Sequence, residues 1–394
     1  MTQPTYDCVV VGGGPAGATA ATVLADAGRH VMLLDRGGRI KPCGGAIPPR
    51  LMRDFAIPDH LIAGRVVAAR MIAPSDTEVD MAVGDGFVGM VDREVFDEWL
   101  RVRAARGGAE RRTGTFDRIE RDDDGCAVVV YADTRDGPEH RIRTRCIIGA
   151  DGANSRVARS TFSDAERMPC VFAYHEVIRS PAVSDTSFDR ARCDVYYQQA
   201  LSPDFYAWIF PHGDTASIGV GSAQKGFALR EAVGRLRARE GLAACETIRR
   251  EGAPIPLRPL RKWDNDRDVI VTGDAAGVVA PASGEGIYYA MVAGQEAAHA
   301  TARFLATGNP RSLRQARRAF MRAHGRVFWA LGIMQHFWYR NDRRRERFVA
   351  MCEDRDVQNL IWPAYMNKQL VYAKPLAYLR IFLKDMRHLL QTAG

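Results

Sequence analysis

Tyr6-Asp-Cys-Val-Val-Val-Gly12-Gly13-Gly14-Pro15-Ala16-Gly17, followed one helix length later by His30-Val-Met-Leu-Leu-Asp35-Arg36, is the stretch on which the fold turns. Tyr6 to Val11 is apolar with no charge after Asp7, the pattern of a strand buried on both faces. Gly12, Gly14 and Gly17 fit G-x-G-x-x-G. The Ala-rich run from Ala16 to Ala27 predicts a helix that Gly28 stops. His30 to Leu34 predicts a second strand, ending on Asp35. In this strand–turn–helix–strand order each glycine has its own role. Gly12 makes the tight turn, Gly14 lets backbone approach a pyrophosphate, and Gly17 lets the helix pack on the strand. The helix N-terminus turns free N–H groups and the positive end of its dipole towards phosphates. Asp35 stands where an acid accepts hydrogen bonds from a ribose.

With 394 residues the chain has room for about two or three domains, and a hydrophobic share of 46% is enough for a sizeable core. A net charge of +8 points to anionic partners, phosphates or an acidic membrane surface, and the basic excess is concentrated in Arg311 to Arg347. Nucleic acid is not expected, because that charge is late and helical and the aromatic strand at 203–211 carries no interleaved Lys or Arg. Eight scattered cysteines with no C-x-x-C pair argue against a zinc site or a dithiol motif and for a reducing compartment. The first strand begins almost at once, which leaves no room for a signal peptide. No apolar run reaches the roughly 18 residues of a membrane helix.

After Asp35, Arg36-Gly-Gly-Arg39-Ile-Lys41-Pro-Cys43-Gly44-Gly45-Ala46 reads as a flexible basic loop suited to phosphates. Arg50 to Phe55 predicts a short helix; Val66 to Pro74 and Glu78 to Val83 predict strands outside the nucleotide unit. A helix is expected from Met90 to Arg106, with Asp92 as N-cap and Val95, Trp99 and Val102 on one face. Residues 113–149 read as a meander ending in the buried strand Cys146-Ile-Ile148. Gly149-Ala-Asp151-Gly152 and a helix follow, so polar groups again stand at the carboxyl end of a parallel strand. Residues 170–222 read as strands. In Pro203-Asp-Phe205-Tyr206-Ala-Trp208-Ile-Phe210-Pro211, alternation sets Phe205, Ala207 and Ile209 against a wholly aromatic face of Tyr206, Trp208 and Phe210. Residues 227–251 are expected to be helical, and Pro254, Pro256 and Pro259 to break regular structure. Val269-Ile-Val271-Thr-Gly273-Asp274 is another buried strand, leading through Pro281-Ala-Ser-Gly284-Glu-Gly286 into a helix from Ile287 to about Leu305. Residues 310–394 read as predominantly helical.

Three strand ends, at Gly12–Gly17, at Asp151-Gly152 and at Gly273-Asp274, are more than a simple nicotinamide dehydrogenase needs. In these ordered motifs the chain resembles the flavoprotein oxidoreductases of the p-hydroxybenzoate-hydroxylase type, from residue 6 to about 306. The resemblance implies an α/β fold. A Rossmann-like FAD-binding domain would be assembled from 1–69, 91–165 and 264–306. A β-sheet-rich α+β substrate domain would come from 70–90 and 166–263, and a C-terminal helical region from 307–394. FAD is the implied cofactor. Gly12, Gly14, Pro15, Ala16 and Gly17 would cradle its pyrophosphate, and Asp35, with Arg36 beside it, would hold the adenosine ribose. Cys43, Gly44, Gly45, Arg93 of an R-x-x-F-D pattern, Asp151, Gly152 and Gly273 would line the cofactor, and Asp274 would bond the ribityl chain. Gly284, Gly286 and Ile287 would open a helix aimed at the flavin's N1–C2=O edge, which favours the anionic reduced form, a hydride donor.

Within that group, Lys41-Pro-Cys43-Gly44-Gly45, the P-x-x-Y-x-W-x-F-P string at 203–211 and Pro281-Ala-Ser-Gly284-Glu-Gly286 resemble the geranylgeranyl reductases. Pro42 to Pro48 and Asn367 to Ala373 extend the resemblance nearly end to end, to members serving chlorophyll and bacteriochlorophyll synthesis. It implies stepwise reduction of a geranylgeranyl group to phytyl, on a pigment ester, on the free diphosphate or on both. NADPH would be a transient reductant at a site without sequence signature. Tyr206, Trp208 and Phe210 would line the isoprenoid pocket; a flat, rigid, apolar wall independently suits a methyl-branched alkene. Tyr206, Cys43 with its neighbour Gly45, and an ordered water are the candidates at the reacting centre. No metal is expected. Val327 to Tyr339 and Arg340 to Arg345, with Trp362, Tyr365, Tyr372, Tyr378 and Phe382, form a basic aromatic region. It would close over the pocket, lie on anionic lipid at the cytoplasmic face of a photosynthetic membrane, or form an ordinary helical cap with a salt-bridged exterior. Two other readings stay open: a flavin monooxygenase of a lipid, which would need oxygen, and a non-catalytic pigment-binding or assembly factor, which would stay colourless with FAD.

Overall fold

The computed structural model describes residues 5–38, 40–84, 86–134, 137–182 and 187–368. The expectations for Arg39, Tyr372, Tyr378 and Phe382, and for the side chain of Trp362, lie outside what is described. The first half of the chain runs β1 (Thr5–Val11), α1 (Pro15–Asp26), β2 (Val31–Asp35), β3 (Ala46–Ile47), α2 (Pro49–Asp54), β4 (Gly64–Val66), β5 (Ala68–Ile72), β6 (Glu78–Ala82), β7 (Val88–Met90), α3 (Arg93–Arg106), β8 (Glu110–Thr113), β9 (Thr115–Arg121), β10 (Ala127–Ala132), β11 (Glu139–Gly149) and α4 (Arg156–Thr161). The second runs β12 (Cys170–Arg179), β13 (Arg192–Tyr196), β14 (Ala207–His212), β15 (Thr215–Ser222), α5 (Leu229–Arg239), β16 (Thr247–Pro256), β17 (Val269–Val271), α6 (Ile287–Thr307), α7 (Arg314–Trp338), α8 (Asp342–Met351) and α9 (Arg355–Asn367). Two compact units result. One comprises Met1–Gly45, Asp92–Ala173 and Gly252–Gly332; the other Ala46–Val91, Tyr174–Glu251 and Ile333–Gly394.

The first unit is built on a seven-stranded sheet in the order β8-β2-β1-β11-β10-β9, with β17 paired to β11. β1 pairs in parallel with β2 and with β11, and β11 pairs in parallel with β17. The antiparallel partner β10 covers only the first half of β11, up to Thr144, so β17 takes over that side from Ile147. The strands that carry the three glycine-and-acid motifs are therefore neighbours with their carboxyl ends together. They are apolar because they are covered on both faces: Val9, Val10, Ile147, Ile148, Ile270 and Val271 are fully buried. Helices α1 and α6 cross so closely that a Cβ on Gly294 would stand 2.2 Å from the carbonyl oxygen of Ala16.

α3 departs from expectation. It starts at Arg93, since Met90 belongs to β7, and Asp92 caps it by accepting from the Glu94 N–H at 2.8 Å. Its buried row is Phe96, Leu100 and Ala104, and Val95 is 55% exposed. Burial of Phe96, Leu100 and Ala104 drives the packing, and Arg93 and Asp97 beside that row go inside because they pair with each other.

The second unit holds a seven-stranded sheet, β16-β12-β15-β14-β13-β5-β6, and a small sheet, β3-β7-β4. Ala232, Val233 and Leu236 of the amphipathic helix α5 are buried in one core with Ile209, Ile218 and Val220 of the large sheet. The helix expected over 227–251 ends at Arg239, and Thr247 begins β16. Pro254 and Pro256 lie within that strand rather than breaking it, because β16 is at the sheet edge, where a missing N–H costs least. Arg345 of α8 is fully buried and donates to the carbonyls of Tyr339 and Ser202.

Gly294→Ala should lower stability by about 1–3 kcal/mol, because a backbone oxygen cannot move aside for the new methyl. In an open helix the same change would stabilise by about 1 kcal/mol, so the sign of the shift in thermal unfolding decides the point.

Candidate active site

Gly12, Gly14 and Gly17 sit at the end of β1 and the start of α1. Gly12 has φ +106°, and a Cβ there would meet the Ala150 carbonyl oxygen at 2.3 Å. A Cβ on Gly17 would meet the Gly12 carbonyl oxygen at 1.9 Å. A Cβ on Gly14 would meet nothing within 4 Å, so the first turn of α1 opens onto free space. Pro15 and Ala16 are buried behind it. Two glycines close the turn and one leaves an open cradle at a helix N-terminus, the arrangement that accepts a diphosphate.

Beside the cradle, the Asp35 carboxylate accepts from the Gly13 N–H at 3.0 Å and lies 3.5 Å from Arg101. Arg101 also donates to the Gly13 carbonyl and to Glu98. A cavity of about 350 Å³ opens here, lined among others by Asp35, Arg36, Arg93, Arg101, Arg111 and Arg112. Its arginines outnumber its acids. Arg111 first, and Arg101 with it, hold the Glu98 carboxyl below its ordinary value. Arg101 was not legible as a motif; its only signal is the spacing Arg93-x-x-x-Asp97-x-x-x-Arg101, one row of α3.

The loop before Ala46 is tied to the Gly273-Asp274 motif and to α3. Lys41 pairs with Asp274 just beyond β17, and Asp274 is 10% exposed. A Cβ on Gly286, the N-cap of α6, would lie 3.8 Å from the Asp274 carboxylate, so Ile287 starts its helix beside that acid. Gly273 touches α1, its Cβ position 2.7 Å from Ala16, and Gly284 turns at φ +64°. The Cys43 thiol accepts from the Gly45 N–H at 3.4 Å, with Gly44 between. Arg93 makes a bidentate bond to Asp97 at 2.9 and 2.7 Å. Burial alone would pull its guanidinium down; Asp97, then Cys43, push it up on balance. The Asp151 carboxylate is spent locally. It accepts from the Ser155 hydroxyl at 2.5 Å and from the Arg156 N–H at 2.7 Å at the start of α4, and burial raises its pKa. Gly152 beside it has φ +86° and faces open space.

The aromatic face lies in the second unit. Tyr206, Trp208 and Phe210 follow one another with ring centroids 5.9 and 6.1 Å apart. Tyr206 and Trp208 are buried and Phe210 is half-buried. Phe205 does not join Ala207 and Ile209, because β14 begins only at Ala207; its ring stacks on Tyr206 at 4.2 Å instead. Tyr197, Tyr339 and Phe348 extend the cluster, residues that no string in the sequence pointed to. Burial drives the Tyr197 hydroxyl well above its ordinary pKa.

Residues 5–322 match the family model described as an FAD binding domain. The chain is 56% identical over 384 residues to the geranylgeranyl diphosphate reductase of Rhodobacter capsulatus, covering 98% of this chain and 97% of the relative. It is 36% identical over 403 residues to the one of Synechocystis, with 97% of each covered. A solved structure of a geranylgeranyl bacteriochlorophyll reductase-like protein from Thermoplasma acidophilum superposes with a TM-score of 0.81 at 21% identity, covering 95% of this chain and 99% of that one. It shows the same fold. The chain is thus a member of the FAD-binding family of the hydroxybenzoate-hydroxylase type. Within it, the chain belongs to the geranylgeranyl diphosphate reductases.

Replacing Arg93 by Met leaves the buried Asp97 carboxylate without its partner, which should cost about 3–5 kcal/mol. Arg93→Met with Asp97→Leu should recover most of that. Urea unfolding of the two variants checks it.

Proposed function

We propose that this chain is an FAD-dependent reductase that saturates isolated double bonds of a geranylgeranyl group towards phytyl, on a (bacterio)chlorophyll ester, on geranylgeranyl diphosphate or on both. NADPH is the reductant that visits it. The end-to-end likeness to named geranylgeranyl diphosphate reductases carries the reading, and the aromatic face of Tyr206, Trp208 and Phe210 supports it.

Gly12, Gly14 and Gly17 with the N-terminus of α1 hold the diphosphate of FAD. Asp35 and the arginine-lined cavity take its adenosine, and Arg93, Gly152, Asp274 and the start of α6 meet the rest. Lys41 then shares or yields the Asp274 carboxylate. Bound and reduced, FAD supplies hydride. The protein's part is to bind the chain, exclude water and bring a proton to the alkene carbon that does not receive hydride. Tyr206, Trp208 and Phe210 offer ring faces that favour positive charge at the tertiary carbon. Cys43 lies against Arg93 and Gly45 in the loop, a lining position. The proton comes from an ordered water, with the Tyr206 hydroxyl as the other candidate.

The test is anaerobic incubation of the FAD-loaded protein with NADPH and a geranylgeranylated pigment or diphosphate, with products resolved by mass. Steps of two hydrogens are expected; a need for oxygen would mark a monooxygenase instead. Tyr206→Phe should leave the rate within about threefold, whereas loss of a general acid costs about 100-fold or more.

Peripheral contact with anionic lipid is the proposed use of one face of α7. Trp329, Ile333 and Phe337 are 71%, 48% and 43% exposed at four-residue spacing, and the Arg344 guanidinium lies 4.2 Å over the Phe337 ring. Among the described residues no helix is long and apolar enough to cross a membrane. Arg345 takes no part, since it is buried on backbone carbonyls. Trp329→Glu with Phe337→Glu should abolish flotation with anionic liposomes while the thermal midpoint stays near that of the parent.

A further inference from the structure

The Trp208 indole is held from two sides, and nothing in the aromatic string announces either. Trp208 on β14 is directly opposite Gly219 on β15. A Cβ on Gly219 would stand 2.1 Å from the indole Cζ2 and 2.4 Å from Cε2, so the ring lies flat in the gap that this glycine leaves in the side-chain layer. At the ring's polar end, Nε1–H donates to the Ser217 hydroxyl at 3.1 Å. Ser217 in turn is 2.9 Å from His175 Nδ1 on β12. His175 Nε2 is 3.1 Å from Glu251 Oε2 on β16, off the line of a good hydrogen bond, and Arg249 Nε is 3.0 Å from Oε1 of the same acid, an ion pair likewise out of hydrogen-bond line. The set thus crosses four adjacent strands, β14, β15, β12 and β16. Trp208, Ser217 and His175 are 5%, 2% and 3% exposed.

An indole N–H only donates, so the Ser217 oxygen accepts from it. The direction of the Ser217–His175 Nδ1 bond follows the imidazole tautomer. Ser217 is not a nucleophile here, because it is buried and its oxygen is engaged by the indole. The arrangement instead selects one ring orientation, since the torsion that turns an indole is otherwise broad.

We propose that Ser217, His175 and Gly219 are positioning residues that set the tilt of Trp208 in the isoprenoid wall, and thereby which double bonds of the chain are reduced. This rests on the reading of Tyr206, Trp208 and Phe210 as that wall. A polyisoprenoid repeats the same alkene along its length, so the wall's shape, and not the chemistry of any one bond, decides how far the chain enters.

The test uses the full-length FAD-loaded protein, geranylgeranyl diphosphate and NADPH without oxygen, comparing the parent with Ser217→Ala, Ser217→Thr and Gly219→Ala. Fully and partly reduced products are counted by mass, and the indole N–H resonance is followed by NMR after assignment with Trp208→Phe. Ser217→Ala and Gly219→Ala should move that resonance, raise KM and change the ratio of fully to partly reduced chains at least fivefold, with flavin absorbance at the parent level. Ser217→Thr, which keeps the hydroxyl, should restore the parent ratio. If Gly219→Ala does not fold, the Ser217 pair decides alone. A moved resonance with an unchanged product ratio overturns the proposal. A parent that reduces no geranylgeranyl chain at all overturns the functional reading and this inference with it.

Discussion

The carbonyl oxygen of Ala16 occupies the space that a methyl on Gly294 would need, and the carbonyl of Gly12 the space that one on Gly17 would need. Gly12 in turn abuts Ala150, and Gly273 abuts Ala16. At Gly294, Gly17 and Gly12 backbone touches backbone with no side chain between, and at Gly273 the neighbour is the Ala16 methyl. Hard-sphere repulsion rises too steeply for such contacts to be adjusted by small shifts. They hold the N-terminus of α1 against the ends of β1, β11 and β17 at once. The open cradle at Gly14, the acid at Asp274 and the turn at Gly152 depend on that placement.

Several charged groups inside the protein are closely matched as well. Arg93 is bidentate on Asp97, Asp151 is spent on the start of α4, Arg237 pairs with Glu176, and Arg345 serves two backbone carbonyls. A charge is buried only where its partners are complete. Trp208 follows the same rule with a neutral donor. Its N–H finds Ser217, and the ring finds the vacancy over Gly219. An aromatic residue with a polar handle can be buried in one orientation when both needs are met together.

Much of this was readable one residue at a time. The strands of the nucleotide unit are short, apolar and bounded by glycine, and they formed where their pattern placed them. The cap at Asp92 and the helix from Ile287 followed local rules as well. Other local readings were not met. On α3 Val95, Trp99 and Val102 were read as sharing one face, yet the buried row is Phe96, Leu100 and Ala104, beside the Arg93–Asp97 pair, and Val95 is exposed. At 247–256 prolines read as breakers because the edge position of β16 is a property of the sheet. The edge position of β16 is decided by strands far away in the chain, whereas Asp97 is four residues from Arg93, inside the window of the pattern.

By itself the sequence determined the dinucleotide unit, the aromatic string and the family, because these rest on backbone requirements and on periodicities of a few residues. A glycine is demanded where only hydrogen fits, and alternation shows which residues share a face. Only the tertiary structure decided that Arg101 joins Asp35, that Lys41 meets Asp274, and that Ser217, His175 and Gly219 hold Trp208. Those partners come from separate strands, helices and loops of the chain, and the sheet order that makes them neighbours is set by packing energy summed over each whole unit, which no local stretch encodes.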